Sequence, residues 1–347
     1  MGQRYTLFFT SREGREEDLK WALHDRRISP NLRDPESKQT ALHVAAAKGR
    51  AGCVKLLIEA GASVDVKEKD GLTPLHLAVY HGNSNCVQIL IDYGADVNST
   101  SRFGSTPLHQ ASYFGHLSCA QILLKNGAFV DVEEAWGQTP LFLAAQRAHS
   151  NVVQLLLQYN AYVKQTDKAH FKTALHVACE AQSIACVQYL LDAGADPNAQ
   201  CANGRTPMHE GNKTFVIPSW ANQSFTFLRE LVVTSEEVEP ITHLLVEYGA
   251  RCDITDNTDS TPVLGLEALM LRHSNDTNPE HFLRYQGLLE FLWHAHGQPK
   301  SLMQMCRGTL RKVFSPSHLH LVNELDIPTC LKRYILNIVD DETSNKL

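Results

Sequence analysis

Apolar positions along the chain recur in blocks of about 33 residues, each holding two short helical patterns. With small variations, a block opens on the phrase Thr-Pro/Ala-Leu-His-x-Ala, which places Leu and Ala on one helix face. A polar turn and a second apolar stretch follow, such as residues 86–91, and a glycine such as Gly94 ends that stretch. The opening threonines step by 33, 33, 33, 34 and 33 residues. They are Thr40, Thr73, Thr106, Thr139, Thr173 and Thr206.

This period and this phrase resemble the ankyrin repeat. The resemblance implies an all-α ankyrin solenoid, in which helix-turn-helix units are joined by β-hairpin loops. The residue types fit that fold, because Thr caps the inner helix and Pro is tolerated in its first turn. We therefore predict a repeat fold for most of the chain.

Departures from the period set the expected domain boundaries. Residues 19–31 resemble only the second half of a repeat, which indicates a degenerate N-terminal cap. Thr206 lies 43 residues before Gly249, against 21 between Thr73 and Gly94, so one late unit carries about 22 inserted residues. The predicted segments are a tail and cap (1–39), five regular repeats (40–205), two atypical repeats (206–297) with an insertion near 212–235, a C-terminal module (298–340) and a tail (341–347).

The C-terminal module begins with a different apolar pattern. Leu302, Cys306 and Leu310 follow one another at four-residue steps, which places them along one stripe of a helix. After a small residue at Ser301, this pattern resembles an elongin-binding box. The resemblance implies that these residues contact elongin C: Ser301, Leu302, Met305, Cys306 and Leu310.

A second pattern follows at residues 325–336, where Leu-Asp-Ile-Pro is similar to the Leu-Pro-aliphatic-Pro of a cullin-5 box. Asp326 stands where that box usually has Pro, and the loss of a Pro leaves the preceding backbone less restricted. The implied cullin-binding residues are Leu325, Asp326, Ile327, Pro328, Leu331 and Tyr334. An ankyrin array with both boxes in order resembles the ankyrin repeat and SOCS box family, whose SOCS box is a three-helix module.

The family resemblance implies a function without catalysis by the chain itself. Such a protein is the substrate-recognition subunit of a ubiquitin ligase, with elongin B/C, cullin-5 and its RING protein as partners. The array would hold a protein substrate so that a recruited conjugating enzyme reaches its lysines, which is catalysis by proximity. The alternative is an ankyrin scaffold or stoichiometric inhibitor whose SOCS box only docks elongin B/C.

The histidines and cysteines of the array do not indicate a metal site or an active site. Four cysteines share one position, thirteen residues after the repeat threonine, and Val152 takes that position in the fourth unit. A position that accepts Cys or Val is a small apolar core site. The cysteines are Cys53, Cys86, Cys119 and Cys186. The signature histidines lie one repeat apart and serve hydrogen bonds between repeats in ankyrin proteins, so we expect no metal, no cofactor and no catalytic residue.

Charge and hydropathy narrow the class of partner. The formal net charge is −6 and basic residues form no stripe, which argues against nucleic-acid binding. No apolar stretch reaches the length of a membrane span, so we expect no integral membrane association. Gly2 begins a short match to the N-myristoylation pattern, although one acyl chain gives only marginal membrane binding. The expected compartment is the cytoplasm, and the nucleus is a further candidate.

Large aromatic residues mark a candidate partner surface on the middle repeats. Phe103, Trp136 and Phe171 are assigned to consecutive hairpin tips, just before the repeat glycine or, for Phe171, its replacement Lys172. Clustered exposed aromatics are typical of interface anchors, although rings that pack locally against the next hairpin are the alternative. The predicted substrate-binding residues are Tyr80, Phe103, Tyr113, Phe114, Trp136, Arg147 and Phe171.

Two asparagines are candidate modification sites. Asn98 and Asn198 end Leu-x5-Asp-x-Asn segments, which are similar to ankyrin sites used by an asparaginyl hydroxylase. Pro197 departs from the aliphatic residue preferred before the asparagine. We therefore expect partial hydroxylation at Asn98, and less at Asn198.

Overall fold

The computed structural model describes residues 2–24, 28–211, 235–251 and 254–258. The chain divides into two compact units, Met1–Ala202 and Asn203–Leu347, and each is described by itself. The helices of the first unit are α1 (Gly2–Glu13), α2 (Glu16–His24), α3 (Ala41–Ala47), α4 (Ala51–Glu59), α5 (Pro74–Tyr80), α6 (Ser84–Asp92), α7 (Pro107–Phe114), α8 (Leu117–Lys125), α9 (Pro140–Gln146), α10 (Ser150–Gln158), α11 (Ala174–Glu180) and α12 (Ile184–Asp192).

These helices form stacked antiparallel pairs. The odd-numbered helices α1 to α11 pack in succession as an inner layer, and the even-numbered helices α2 to α12 pack in succession as an outer layer. Fully buried leucines fill both layers, Leu75 in α5 and Leu90 in α6 among them. The predicted all-α ankyrin fold is confirmed for this unit.

The first helix pair begins at Gly2, ahead of the point where the apolar pattern starts. Helix α1 packs on α3, and α2 packs on α4, in the same way as the later pairs. The inner face of α1 buries Leu7 together with the polar residues Thr10 and Ser11. Thr10 donates its hydroxyl to the backbone carbonyl of Thr6, so this polar residue is buried with a partner and takes a place that an apolar residue fills in other repeats. This explains why the periodicity is faint there.

Each inner helix from α3 to α11 begins at the threonine of the repeat phrase. At Thr73, the hydroxyl accepts a hydrogen bond from the backbone N–H of His76, and Pro74 takes the first helical position. The backbone N–H of Thr73 in turn donates to Nδ1 of the His76 ring, 3.3 Å away. This reciprocal arrangement satisfies donors that the helix end would otherwise leave open.

The four cysteines that share one repeat position are buried in the outer layer, as predicted. Val152 of α10 occupies the equivalent place in the fourth unit and is also buried. Burial raises the pKa of Cys86 and of Cys119 to about 11, which keeps both thiols protonated near neutral pH. These residues therefore act as small core side chains.

The described part of the second unit contains α13 (Pro207–Gly211) and α14 (Ser235–Glu247). Thr206 caps α13 with the same Thr–His hydrogen bonds that open the earlier inner helices. Glu210 is almost fully buried, and its carboxylate lies 3.9 Å from Nε of Arg205. The insertion predicted between the two helices falls mainly on residues outside the described ranges. Among the described helices, none has the length and apolar character needed to cross a membrane.

Candidate protein-binding site

The hairpin tips of the middle repeats are linked by a run of backbone hydrogen bonds. The tip is the third residue of a five-residue turn, such as Phe103 in residues 101–105. The backbone carbonyl of the tip residue accepts a hydrogen bond from a backbone N–H of the next hairpin. Phe103 accepts from Ala135 and Trp136 accepts from Lys168, both at 2.9 Å. This spacing places consecutive tip side chains next to each other. The rings of Phe103 and Trp136 stack with centroids 5.7 Å apart and planes at 22°.

The assignment of Phe171 to the next tip is wrong by one residue. The tip carbonyl there belongs to His170, which accepts from the N–H of Ala202 at 2.8 Å. Phe171 adopts a left-handed backbone conformation with φ of 54°, the conformation that Gly137 provides in the preceding unit. In the regular hairpins the left-handed residue is a glycine that lies two residues before the repeat threonine. The hairpin of this unit has one extra residue, and Phe171 takes that position in place of a glycine. Counting back from the threonine would have identified it.

The inner helices supply a second group of rings. The ring centroids of Tyr80 and Phe114 are 4.6 Å apart, and those of Tyr113 and Phe114 are 4.9 Å apart, both edge-to-face. The guanidinium carbon of Arg147 lies 4.1 Å from the centroid of the Tyr113 ring, a cation–π contact. Tyr80 and Phe114 are exposed, and Tyr113 is half-buried.

A groove of about 280 Å³ lies between the tip rings and the helix rings. We refer to it as the aromatic groove. Its lining residues are Tyr80, Ser105, His109, Gln110, Tyr113, Phe114, Glu134, Trp136, Gln138 and Leu143. Phe103 joins the groove through its stack on Trp136. The ring contacts form two groups, Phe103 with Trp136 and Tyr80 with Phe114 and Tyr113, and within the described ranges no ring contact joins Phe171 to either group.

Two polar residues of the groove were not anticipated from the sequence. Glu134 is only 7% exposed, and burial raises the pKa of its carboxyl group. Gln110 also lines the groove, and its Oε1 atom is buried without a donor among the described residues. The signal that could have found Glu134 is its position, five residues before Thr139, which places it at the start of a hairpin beneath the tip.

The signature histidines hold the repeats together, as expected. Nδ1 of His109 accepts from the N–H of Thr106, so its Nε2 carries the proton and donates to the carbonyl of Gln138, 3.1 Å away. His43 and His76 make the same contact with Leu72 and Ser105. Burial lowers the pKa of each of these three histidines to about 4, so the rings are neutral near pH 7.

Metal-binding residues do not converge in the part of the chain that the structure describes, where no group of three His, Cys, Asp or Glu side chains is placed to hold an ion. The signature histidines and the buried cysteines are instead used in capping, inter-repeat bonds and core packing.

Asn98 joins the loop that follows α6 to the loop that follows α8. Its Nδ2 donates to the carbonyl of Gly127 at 3.1 Å, and its Oδ1 accepts from the N–H of Phe129 at 2.8 Å. Asn31 makes the same pair of bonds with Gly61 and Ser63. The predicted hydroxylation site is thus half-buried and bonded at both ends of its amide. For Asn198, the backbone N–H donates to Asp196.

Comparisons with known protein families identify both modules. An ankyrin-repeat model with three copies matches residues 7–101 and 99–167, and a model with many copies matches residues 175–211. A SOCS box model matches residues 298–336. This chain belongs to the ankyrin repeat and SOCS box family.

Individual relatives in this family are distant. Human ankyrin repeat and SOCS box protein 9 is 30% identical over 170 residues, which is 49% of this chain and 44% of that protein. Ankyrin repeat and SOCS box protein 5 of Bos taurus is 32% identical over 173 residues, 49% of this chain and 40% of that protein. The chain thus matches less than half the length of these relatives.

Among solved structures, the crystal structure of the human ASB11 ankyrin repeat domain is similar with a TM-score of 0.54 and 27% identity. The match covers 65% of this chain and 96% of that one.

The SOCS box match includes both of the segments singled out from the sequence, residues 301–310 and 325–336. The predicted elongin-binding residues Ser301, Leu302, Met305, Cys306 and Leu310 lie outside the described residues. So do the predicted cullin-binding residues Leu325, Asp326, Ile327, Pro328, Leu331 and Tyr334.

Proposed function

We propose that this protein is the substrate-recognition subunit of an elongin B/C–cullin-5–RING ubiquitin ligase. In this proposal the SOCS box binds elongin B/C through Ser301, Leu302, Met305, Cys306 and Leu310. Residues 325–336 bind cullin-5. The ankyrin array holds a target protein close to the recruited conjugating enzyme, and proximity promotes transfer of ubiquitin to the target.

The observation that carries the proposal is the presence in one chain of a SOCS box match and an ankyrin array with an exposed aromatic groove. A SOCS box implies elongin B/C binding, and the array provides a separate surface for a partner. Trp136 and Phe103 are each more than half exposed in spite of their stacking. Large exposed rings of this kind are typical of residues that dominate binding energy at protein interfaces.

Capture from cells tests both halves of the proposal. The tagged full-length protein is purified under proteasome inhibition, alongside Leu302→Pro/Cys306→Phe and Trp136→Ala variants. The double substitution breaks the proposed docking helix and enlarges a side chain on its contact stripe, so elongin B/C and cullin-5 should be lost while captured targets remain. Trp136→Ala should retain elongin B/C and lose targets.

The abundance of captured targets distinguishes a ligase from a scaffold. If the protein promotes degradation, disruption of the SOCS box lowers target ubiquitination under proteasome inhibition and raises target abundance when the proteasome is active. Targets whose abundance and ubiquitination stay unchanged would support the alternative of a scaffold or stoichiometric inhibitor. Full recovery of elongin B/C with a folded double variant would contradict the SOCS box assignment itself.

A further inference from the structure

Glu134 differs from the residues that occupy its position in four other hairpins. In those four hairpins the side chain at the start of the turn accepts hydrogen bonds from its own loop. Asp34 accepts from the N–H of Ser37 at 2.9 Å, Glu68 from Asp70 at 3.1 Å, Ser101 from Phe103 at 3.3 Å and Asp167 from Lys172 at 2.6 Å. Among the described residues, the Glu134 carboxylate makes no such bond and lines the aromatic groove instead.

In the described part of the chain, no positively charged side chain forms an ion pair with the Glu134 carboxylate. Glu133, the adjacent carboxylate, forms an ion pair with Lys168 at 2.8 Å. His109 lines the groove but is neutral, and both of its ring nitrogens are used by Thr106 and Gln138. The Glu134 side chain is 7% exposed overall, and because its carboxylate has no donor among the described residues, it can accept hydrogen bonds from a ligand that enters the groove.

The rest of the groove defines what that ligand must be. Gln110 contributes a second acceptor, Oε1, which also has no donor in the described ranges. The faces of Tyr80, Tyr113, Phe114 and Trp136 surround these acceptors, and aromatic faces attract cations. The guanidinium of Arg147 on the Tyr113 ring shows that one of these faces already accepts a cation from the chain itself.

We propose that the aromatic groove binds an arginine or lysine side chain presented by the target protein, with Glu134 and Gln110 accepting its N–H groups and the aromatic rings covering its stem. Two acceptors without donors favour a cation that carries N–H groups over a quaternary ammonium. Both arginine and lysine have an apolar stem that fits between rings. The target recognised by this protein therefore contains a basic residue in an accessible segment. This inference rests on the proposed function for the statement that the ligand belongs to a target protein.

The test uses the purified full-length chain alone, without ligase components, so that its outcome is independent of the SOCS box. A phage-displayed library of random twelve-residue peptides is selected on the wild-type protein. The variants Glu134→Gln and Glu133→Gln serve as a matched pair, since both remove one carboxylate from the same hairpin. Glu134→Gln also removes a buried charge, so the fold is expected to keep its melting temperature.

Selected peptides should carry Arg or Lys at one fixed position. In synthetic versions measured by fluorescence anisotropy, replacement of Arg by citrulline, or of Lys by norleucine or trimethyl-lysine, should weaken binding at least about tenfold. Glu134→Gln should remove this preference and Glu133→Gln should keep it. The relative affinities of the Arg and Lys versions identify which cation fits. A library without cation-bearing binders, or a preference that survives Glu134→Gln, would overturn the proposal.

Discussion

Trp136 keeps 53% of its surface exposed even though its indole ring stacks on the ring of Phe103. The stack holds the two rings side by side on adjacent hairpins and limits the rotamers that each can adopt. A partner that covers them therefore loses little side-chain entropy on binding. The stack is the local packing considered from the sequence, and the exposed part of both rings leaves the predicted partner surface for substitution to test.

Substitution of Trp136 by Ala should weaken capture of the target more than it weakens the fold. Truncation of an interface aromatic costs about 2 kcal/mol or more, which is roughly a thirty-fold loss of affinity. The expected change in melting temperature is small, because the ring contributes one stacking contact at an exposed tip. Target capture and thermal unfolding are measured on the same preparation.

Phe129→Ala is the control for that substitution, since Phe129 is 64% exposed and its backbone, rather than its ring, bonds to Asn98. The control should leave target capture unchanged. A Trp136→Ala protein that melts earlier while binding its target normally would assign the ring to local packing.

The sequence predicts the array well because each repeat residue acts locally. Thr106 caps its own helix and His109 reaches a carbonyl only one repeat away, so the phrase specifies both contacts. Phe171 was misplaced because its hairpin has an extra residue and lacks a glycine. The isolation of Glu134 could not be predicted, because it depends on which neighbours fail to reach its carboxylate. That information exists only in three dimensions.

Hydroxylation is expected at Asn98 more than at Asn198. Both follow the Leu-x5-Asp-x-Asn pattern, but Pro197 replaces the aliphatic Val97. The amide of Asn98 bonds to Gly127 and Phe129, so the enzyme gains access when this loop opens locally, and partial modification is expected. Peptide mass spectrometry of protein from oxygenated cells measures the fraction modified at each site.

Asn31 is an internal control for this prediction. Its amide makes the equivalent pair of bonds, but Ser29 stands where Asp96 precedes Asn98. Asn31 should therefore remain unmodified, and Val97→Pro should reduce modification of Asn98 to the level of Asn198. An unoxidised Asn98 in all samples would argue against the site.

Asp326→Pro should strengthen binding to cullin-5. A proline restricts the unbound loop and stabilises by about 0.4–1 kcal/mol where the backbone is compatible, so the expected gain is at most several-fold. Calorimetry on the elongin-bound protein measures it, and affinity for elongin B/C should stay the same. Equal or weaker cullin-5 binding would indicate that Asp326 makes a contact of its own.

Acid should destabilise the array through its buried histidines. His43, His76 and His109 have a pKa of about 4 in the folded chain, against about 6.5 when unfolded. The unfolded chain therefore binds more protons between these values, and the free energy of unfolding falls as pH drops from about 6.5 toward 4. Above pH 6.5 this contribution is fully present. Thermal unfolding of the full chain at a series of pH values measures the slope.

His109→Phe isolates one histidine, because the fourth repeat naturally has Phe142 at the equivalent position. The variant loses the bond to the carbonyl of Gln138, which should cost about 1–3 kcal/mol at pH 7. The variant also has one fewer group that takes up a proton on unfolding. The number of protons bound on unfolding should therefore be lower by about one, and the free energy of unfolding should fall less steeply as the pH drops. A wild-type protein and variant with the same pH slope would show that His109 does not contribute to acid sensitivity. A shallower slope, joined to lower stability at neutral pH, would show that this histidine holds the repeats together only in its neutral form.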